Sequence, residues 1–497
     1  MSEKEILTGI NLFKRERHGI LLDTKELEKK DDFEPNRAIE FSILTFMMLF
    51  FVPSLILYIK HKDHILIKYR QPVSVIIGGI LATINATCVP IIRALKLWCL
   101  FNMILSYVIF SYVIITLSRF IRIFYIQRLS IFKLKFSEKK NKNIHEKGEK
   151  VLKKIESKIS KNIKSFPIKS SGSDNIDSFS NEEIKIGDFK ISDPNHYFNK
   201  LNSIINKKIT IYYVIFPVTA LIIYYVILSL KDWENLKTRC INERIKMSVP
   251  KLILNLVVII HSIYMIYQAF YKQKWDKELR KEYVAFVIVI IFCSIFMSLT
   301  MNSVFGDIVF KYRIYIFQMI TMTVHVMCVI DPLINIFIHS KKKQKLVLTE
   351  EEFLLRLTDT NFKEQVKDIT TQTFCIENLL FFEAHYDLMN IIIKYYNKKN
   401  GIPIQENGYS STDILHKTKL NPILYEPFDP IFIPQFEQIY NLYIKEDSIA
   451  LINIESSTAH SIEDQIMNDK YSYLMFYDAA QEVGNLLYSN VCPRMRL

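Results

Sequence analysis

The sequence predicts an all-α protein, with a seven-helix transmembrane bundle followed by a cytoplasmic, all-helical domain. Half of the 497 residues are hydrophobic and the mean hydropathy is +0.12, yet 23% of the residues are charged. Apolar and charged residues must therefore occupy different segments, as in a membrane protein. Seven apolar stretches come first, and the last ~150 residues carry apolar side chains at helical spacing without a stretch long enough to cross a bilayer.

The seven apolar stretches are each long enough for a membrane-spanning helix, which satisfies its backbone hydrogen bonds internally. The second is the weakest, because it contains Asn85, Thr87 and Pro90. We expect a transmembrane domain over residues 38–340, preceded by an extracellular tail at 1–37. The predicted spans are 38–58, 73–92, 97–117, 211–230, 249–271, 283–301 and 315–338.

The excess of basic residues, 64 Lys and Arg against 51 Asp and Glu, lies mainly in the connections between these spans. Because Lys and Arg are retained on the cytoplasmic side, connections 60–70, 119–208, 272–281 and 341–345 are expected inside. The N-terminus is then outside and the C-terminus inside, although connection 231–246 is itself mildly basic. We expect a multi-pass plasma-membrane protein that contacts membrane lipid and binds no nucleic acid.

The cysteines and the N-terminus exclude other classes of protein. Seven cysteines without close, regular spacing form neither a disulfide scaffold nor a zinc module, so we expect no metal and no cofactor. Residues 1–37 mix acids and bases and lack the cationic cap, short apolar run and small-residue cleavage site of a signal peptide.

The connection 119–208 is long, basic and poor in aromatic residues after Phe136. This composition predicts a largely disordered intracellular loop. Its stretch 133–164 is either a cationic, partly helical arm on the anionic inner leaflet or a solvated linker. Serines at 169–181 stand near acidic residues, where phosphorylation would offset the basic charge, but a serine-rich linker explains them equally well.

Several polar side chains fall at membrane depth within the predicted spans. Exposing them to lipid is costly, so we expect them to face the bundle interior. There they either bond neighbouring helices, as packing contacts of any bundle, or line a ligand pocket. These residues are Asn255, His261, Gln318, His325 and Asp331.

The tail, residues 345–497, contains three short motifs in a fixed order. Residues 377–382 hold an acid–asparagine pair with an aromatic pair just beyond it. Residues 439–441, then 452–454 and Thr458, have the spacing of a helix, an asparagine-bearing loop and a capping threonine, and residues 476–494 hold a long helical pattern with a Pro-Arg end. With these motifs the tail resembles the regulator-of-G-protein-signalling (RGS) domain.

The resemblance implies an all-helical domain that binds an active, GTP-bound Gα subunit and accelerates its GTP hydrolysis. Such a protein is a GTPase-activating protein without catalytic residues of its own, so it is not itself an enzyme. Asn453 could instead simply cap a helix, and Leu486 could lie partly in the core. The contact residues implied by the resemblance are Glu377, Asn378, Asn453, Leu486, Asn490 and Arg494.

Seven spans followed by one RGS domain also resemble the seven-transmembrane RGS proteins and receptor–RGS fusions. Arg119, and Asp331-Pro332 with Asn335, loosely resemble motifs of G-protein-coupled receptors. The receptor resemblance implies an extracellular disulfide between Cys99, at the outer end of the third span, and Cys240, in the outer loop between the fourth and fifth spans. The alternative is that these are two unrelated thiols. The receptor resemblance also implies an extracellular ligand, whose identity the sequence leaves unknown.

Three positions depart from the RGS pattern: Ala459 replaces the usual arginine, Asn490 the common aspartate, and Phe382 the usual tryptophan. The main alternative is therefore a ligand-activated receptor whose tail is a Gα-binding scaffold without GTPase-activating function. A conventional receptor with the tail as a built-in brake is a further reading. A transporter is disfavoured, because the spans lack an internal repeat or paired broken helices.

Overall fold

The computed structural model shows an all-α protein, as the sequence predicts, with one small hairpin of three-residue strands. The hairpin pairs β1 (Ile184–Ile186) with β2 (Phe189–Ile191) in antiparallel register, Ile184 opposite Ile191. The structure describes residues 36–95, 99–161, 184–186, 189–191, 193–231, 233, 244–268, 277–299, 315, 318–319, 321–342, 348–400, 408–417 and 420–495.

The chain divides into two compact units. The apolar unit comprises Met1–Ile123 and Lys207–Ile336, and the C-terminal unit comprises Phe124–Asn206 and Phe337–Leu497. The predicted domain boundary near residue 340 lies close to the second division, and nearly all of the connection 119–208, residues 124–206, belongs to the C-terminal unit.

The apolar unit contains helices at every predicted span. They are α1 (Arg37–Lys60), the short α2 (Ile65–Lys68), α3 (Pro72–Ala94), the first part of α4 (Cys99–Lys161), α6 (Phe216–Lys231), α7 (Arg244–Tyr267), α8 (Lys277–Leu299) and α9 (Asp331–Lys342). A π-helical turn at Thr210–Ile215 precedes α6, and another at Val326–Ile330 precedes α9.

Among the described residues, five helices are long and apolar enough to cross a membrane. They are Arg37–Lys60, Pro72–Ala94, Met103–Lys153, Pro194–Lys231 and Thr321–Ile338. These match the first four predicted spans and the seventh. The fifth predicted span lies in α7, where Leu252–Tyr267 forms a shorter apolar helix, and the sixth lies in α8.

Large apolar side chains cover the outside of these helices. Leu49, Phe216 and Ile260 are each more than half exposed, and only 22% of the most apolar part of α1 is buried. A surface helix of a soluble domain is apolar on one stripe only. Helices that are apolar all round are expected where lipid is the solvent, which supports membrane association.

The C-terminal unit is built around the 24-residue helix α12 (Ile376–Lys399), fifteen of whose side chains are buried. It packs against α11 (Thr360–Gln372), α13 (Ile433–Tyr443) and α15 (Tyr477–Val491). The other helices are α5 (Pro194–Ser203), α10 (Glu350–Arg356) and α14 (Ser456–Met467), with 3-10 turns at Asp413–Leu415, Pro422–Tyr425, Pro430–Phe432 and Cys492–Arg494.

Connection 119–208 differs from the disordered loop that its composition predicts. Helix α4 continues to Lys161, and its residues Phe132, Phe136 and Ile144 belong to the core of the C-terminal unit. The average composition conceals these apolar residues, because lysines fill many of the positions between them. Residues 162–183, which include the whole serine-rich stretch 169–181, lie outside the described residues.

Candidate functional site

The start of α12 carries two of the predicted contact residues. A tight turn leads into it, with Phe374 in the left-handed conformation at φ 62° and the Cys375 N–H donating to the Thr370 carbonyl at 3.0 Å. Glu377 follows in the first turn of the helix and Asn378 comes next. The turn therefore fixes where the acid–asparagine motif begins.

Glu377 and Asn378 are both largely covered. The Glu377 side chain is 13% exposed, and its Oε2 lies 3.7 Å from the Nζ of Lys133 on α4. Burial raises the pKa of Glu377, and the charge of Lys133 opposes this rise. Asn378 is 3% exposed, and its Oδ1 has no hydrogen-bond partner. These two residues of the predicted contact set are thus turned inward.

Asn453 has the opposite environment, since its side chain is exposed in the loop before α14. Its neighbours hold the loop in place: the Ile452 N–H donates to the Tyr443 carbonyl at 2.9 Å, and Ile454 packs against the core. The N-cap of α14 is Glu455 rather than Asn453. The helix-capping alternative for Asn453 is therefore wrong, and its side chain faces solvent.

Glu482 on α15 anchors the Asn453 loop, a role that the sequence does not reveal. One carboxylate oxygen accepts the Glu455 N–H at 2.7 Å, and the other accepts the hydroxyl of Thr458. A carboxylate at the start of a helix also interacts favourably with its macrodipole. Thr458 thus bonds across to α15 instead of capping its own helix.

The last predicted contacts follow along α15 and its end. Val483, Leu487 and Val491 are buried in the core, whereas Leu486 and Asn490 are half-buried on a neighbouring side. Leu486 is half-buried and is not among the residues that form this core or pack against it. Helical spacing places Leu486 one turn beyond Glu482 and Asn490 one turn further.

Arg494 follows α15, the helix that packs against α12. It lies in the 3-10 turn Cys492–Arg494, and its side chain is half-buried. Burial raises the pKa of the Cys375 thiol, just before α12, to about 11, while the Thr373 hydroxyl and the positive charge of Arg494 act to lower it.

The six predicted residues come from three segments that these contacts join: the start of α12, the Asn453 loop and the end of α15. Asn453 is exposed, and Leu486, Asn490 and Arg494 are half-buried. Of the six, Asn453 is thus the side chain most accessible to solvent.

A second group of polar residues is buried in the apolar unit. Arg119 pairs with Glu282 of α8 and donates from Nε to the Arg70 carbonyl at 3.0 Å. Arg70 lies 3.5 Å from the second oxygen of Glu282 and also pairs with Glu278. The sequence singles out Arg119 only, because its partners lie outside the predicted spans or at their ends.

The polar residues expected to face the interior of the apolar unit divide into two groups. Asn255, Gln318 and His325 are buried, and His325 shares a hydrogen bond of 2.8 Å with the Ser54 hydroxyl. His261 and Asp331 are half-buried. The hydrogen bonds of Gln318, to the Ala86 carbonyl at 3.2 Å, and of His325 favour the packing interpretation.

The predicted disulfide lies outside the described part of the chain, which includes neither Cys240 nor the side chain of Cys99. No protein-family model matches the sequence, and no curated protein or solved structure matches it either.

Proposed function

We propose that this protein is a membrane-anchored regulator of heterotrimeric G-protein signalling, whose C-terminal RGS domain accelerates GTP hydrolysis by a Gα subunit. The observation that carries the proposal is the exposed Asn453, fixed between anchored neighbours on the surface that also holds Leu486, Asn490 and Arg494. The RGS resemblance assigns all four of these residues to the contact with Gα.

The proposed mechanism is preorganisation of the partner. A Gα subunit supplies its own arginine and glutamine for phosphoryl transfer, so a protein that holds its mobile switch segments in the transition-state geometry lowers the barrier. Asn453 would approach the Gα glutamine, and the half-buried residues of α15 would hold the switches. No cofactor or catalytic residue of this chain is required.

Membrane anchoring would allow this protein to act on Gα even if its affinity for Gα is modest. Five helices are long and apolar enough to cross a membrane, and Gα is itself held at the cytoplasmic face by lipid. Tethering both proteins to one surface raises their effective concentration to about the millimolar range. The proposal places the protein in the plasma membrane with the N-terminus outside and the C-terminus in the cytoplasm.

The test is single-turnover GTP hydrolysis by a panel of Gα subunits, with the full chain reconstituted in lipid nanodiscs. We expect the wild type to accelerate hydrolysis by at least one Gα, and Asn453→Ala to remove roughly tenfold or more of that acceleration. Asn441→Ala, which alters an exposed asparagine on α13, is the matched control and keeps full acceleration. Equal activity of Asn453→Ala and wild type would contradict the proposal.

A second candidate is a ligand-activated receptor whose tail binds Gα without accelerating hydrolysis. The covered positions of Glu377 and Asn378 favour it, as do Ala459 and Asn490. The same nanodiscs distinguish the two candidates. Binding of GTP-loaded Gα without faster hydrolysis supports the scaffold, and faster hydrolysis supports the regulator.

A further inference from the structure

The part of α4 beyond residue 124 lies directly on the segment that leads into and begins α12. The Ser130 hydroxyl donates to the Thr371 carbonyl at 3.1 Å, at the end of α11. Lys133 follows one turn later with its ion pair to Glu377. Both contacts flank the turn at Phe374 and Cys375, so α4 covers the segment to which the acid–asparagine motif belongs.

The same helix then follows α12 along its length. Asn141 donates from Nδ2 to the Leu380 carbonyl at 3.0 Å and accepts the Tyr443 hydroxyl at 2.8 Å. Gly148 lies so close to Ile391 that an added Cβ would be 2.7 Å from its Cδ1. Later residues of α4 thus contact later residues of α12, so the two helices run in the same direction and pack along much of their length.

The contact with Glu377 removes this carboxylate from solvent. Lys133 is 18% exposed and Glu377 13%, so each charge is largely screened from water by the other and by its surroundings. A partner protein that used Glu377 would have to displace Lys133, because the carboxylate is already occupied. The adjacent Asn378 is buried, and its Oδ1 has no hydrogen-bond partner. This atom would become accessible to a partner protein only if α4 were displaced.

We propose that segment 124–161 of α4 is an autoinhibitory cover over part of the Gα-binding surface, and that active Gα and this helix compete for Glu377 and Asn378. The inference rests on the proposed function of the C-terminal unit. Phe132 and Phe136 in the shared core hold the cover closed. The apparent affinity for Gα is then reduced by the fraction of molecules in which the cover is open.

Two substitutions open the cover without altering any predicted contact residue. Lys133→Glu replaces the attraction to Glu377 by repulsion. Gly148→Leu inserts a side chain against Ile391, far from Glu377. Lys142→Glu is the matched control, because it makes the same charge change on an exposed position of the same helix. Hydrogen exchange of residues 130–145 in each variant reports whether the cover has opened.

The experiment measures GTP hydrolysis at subsaturating full-length protein in nanodiscs. We expect both opening variants to accelerate hydrolysis roughly threefold or more beyond wild type, and Lys142→Glu to equal wild type. Variants with faster exchange but no gain over an active wild type would overturn the autoinhibition and leave the proposed function intact. Absence of binding and acceleration for every variant would overturn the proposed function itself.

A measurement on the wild type covers the case in which a variant does not fold. Gα loaded with GDP and aluminium fluoride, which imitates the transition state, is added while hydrogen exchange is followed in residues 130–145. We expect faster exchange on binding, since Gα displaces the cover. Unchanged or slower exchange in the bound state would refute the competition.

Discussion

Thr458 of α14 donates its hydroxyl hydrogen to Glu482 of α15, and this contact fixes the shape of the loop that presents Asn453. The second oxygen of Glu482 accepts the Glu455 N–H at 2.7 Å, so one carboxylate holds both sides of the first turn of α14. Asn453 lies two residues before Glu455 and is exposed. The orientation of the proposed contact residue therefore depends on a side chain that would not itself touch Gα.

Glu482→Ala is expected to loosen this loop. Removing a charged hydrogen-bond acceptor with two donors costs about 1.5–3 kcal/mol of unfolding free energy. The acceleration of Gα hydrolysis should fall severalfold, because Asn453 loses its fixed position, while Glu482→Gln retains part of it. Glu446→Ala, at an exposed glutamate, is the control. The measurements are Gα hydrolysis rates and melting temperatures of each variant. Equal values for Glu482→Ala and Glu446→Ala would contradict the proposed role of Glu482.

The isolated tail, residues 345–497, is expected to be less stable than the complete C-terminal unit. Without α4 the apolar surface that covers Phe132, Phe136 and Ile144 is exposed to water. Burying each phenylalanine contributes about 1.5–3 kcal/mol, so the loss should be several kcal/mol. Adding a peptide of residues 124–161 should raise the melting temperature of the tail in a concentration-dependent way. An unchanged melting temperature would contradict the shared core.

The stability of the C-terminal unit is expected to fall between pH 6.5 and pH 4 partly through His385. Burial against Phe381 and Tyr409 lowers the pKa of His385 to about 4 from its usual 6.5. In this window the unfolded chain binds a proton that the folded chain does not. A difference of one between the pKa values of the folded and the unfolded chain corresponds to about 1.4 kcal/mol of unfolding free energy. His385→Phe should flatten the dependence of stability on pH relative to wild type, as measured by urea unfolding at several pH values.

Glu282→Gln is expected to destabilise the apolar unit strongly. Glu282 is 2% exposed and pairs with Arg119, so its neutral replacement leaves a buried guanidinium without its counter-charge, at a cost of about 3–5 kcal/mol. Glu278→Gln is the control on the same helix, since Glu278 is 34% exposed and its pair with Arg70 is partly solvated. Thermal unfolding in detergent compares the two, and equal losses would argue against a special role for the Arg119 pair.

The sequence alone predicts the helical class, the positions of the apolar helices and the presence of a separate helical tail. Apolar stretches of 20 residues and 3.6-residue periodicity are local properties, and they depend little on which segments meet in space. The loop that carries Asn453 is expected from the RGS resemblance instead, and the exposure of its side chain is seen only in the structure.

Only the tertiary structure shows where the basic connection packs and which residue pairs with Glu377. Lys133 and Glu377 are 244 positions apart along the chain, and no local pattern indicates that Phe132 and Phe136 complete the core of the tail. The same is true of Glu482, Thr458 and the Arg119–Glu282 pair. Ion pairs and shared cores between distant segments depend on how the helices pack, and composition averaged over a window cannot record which lysine faces a carboxylate.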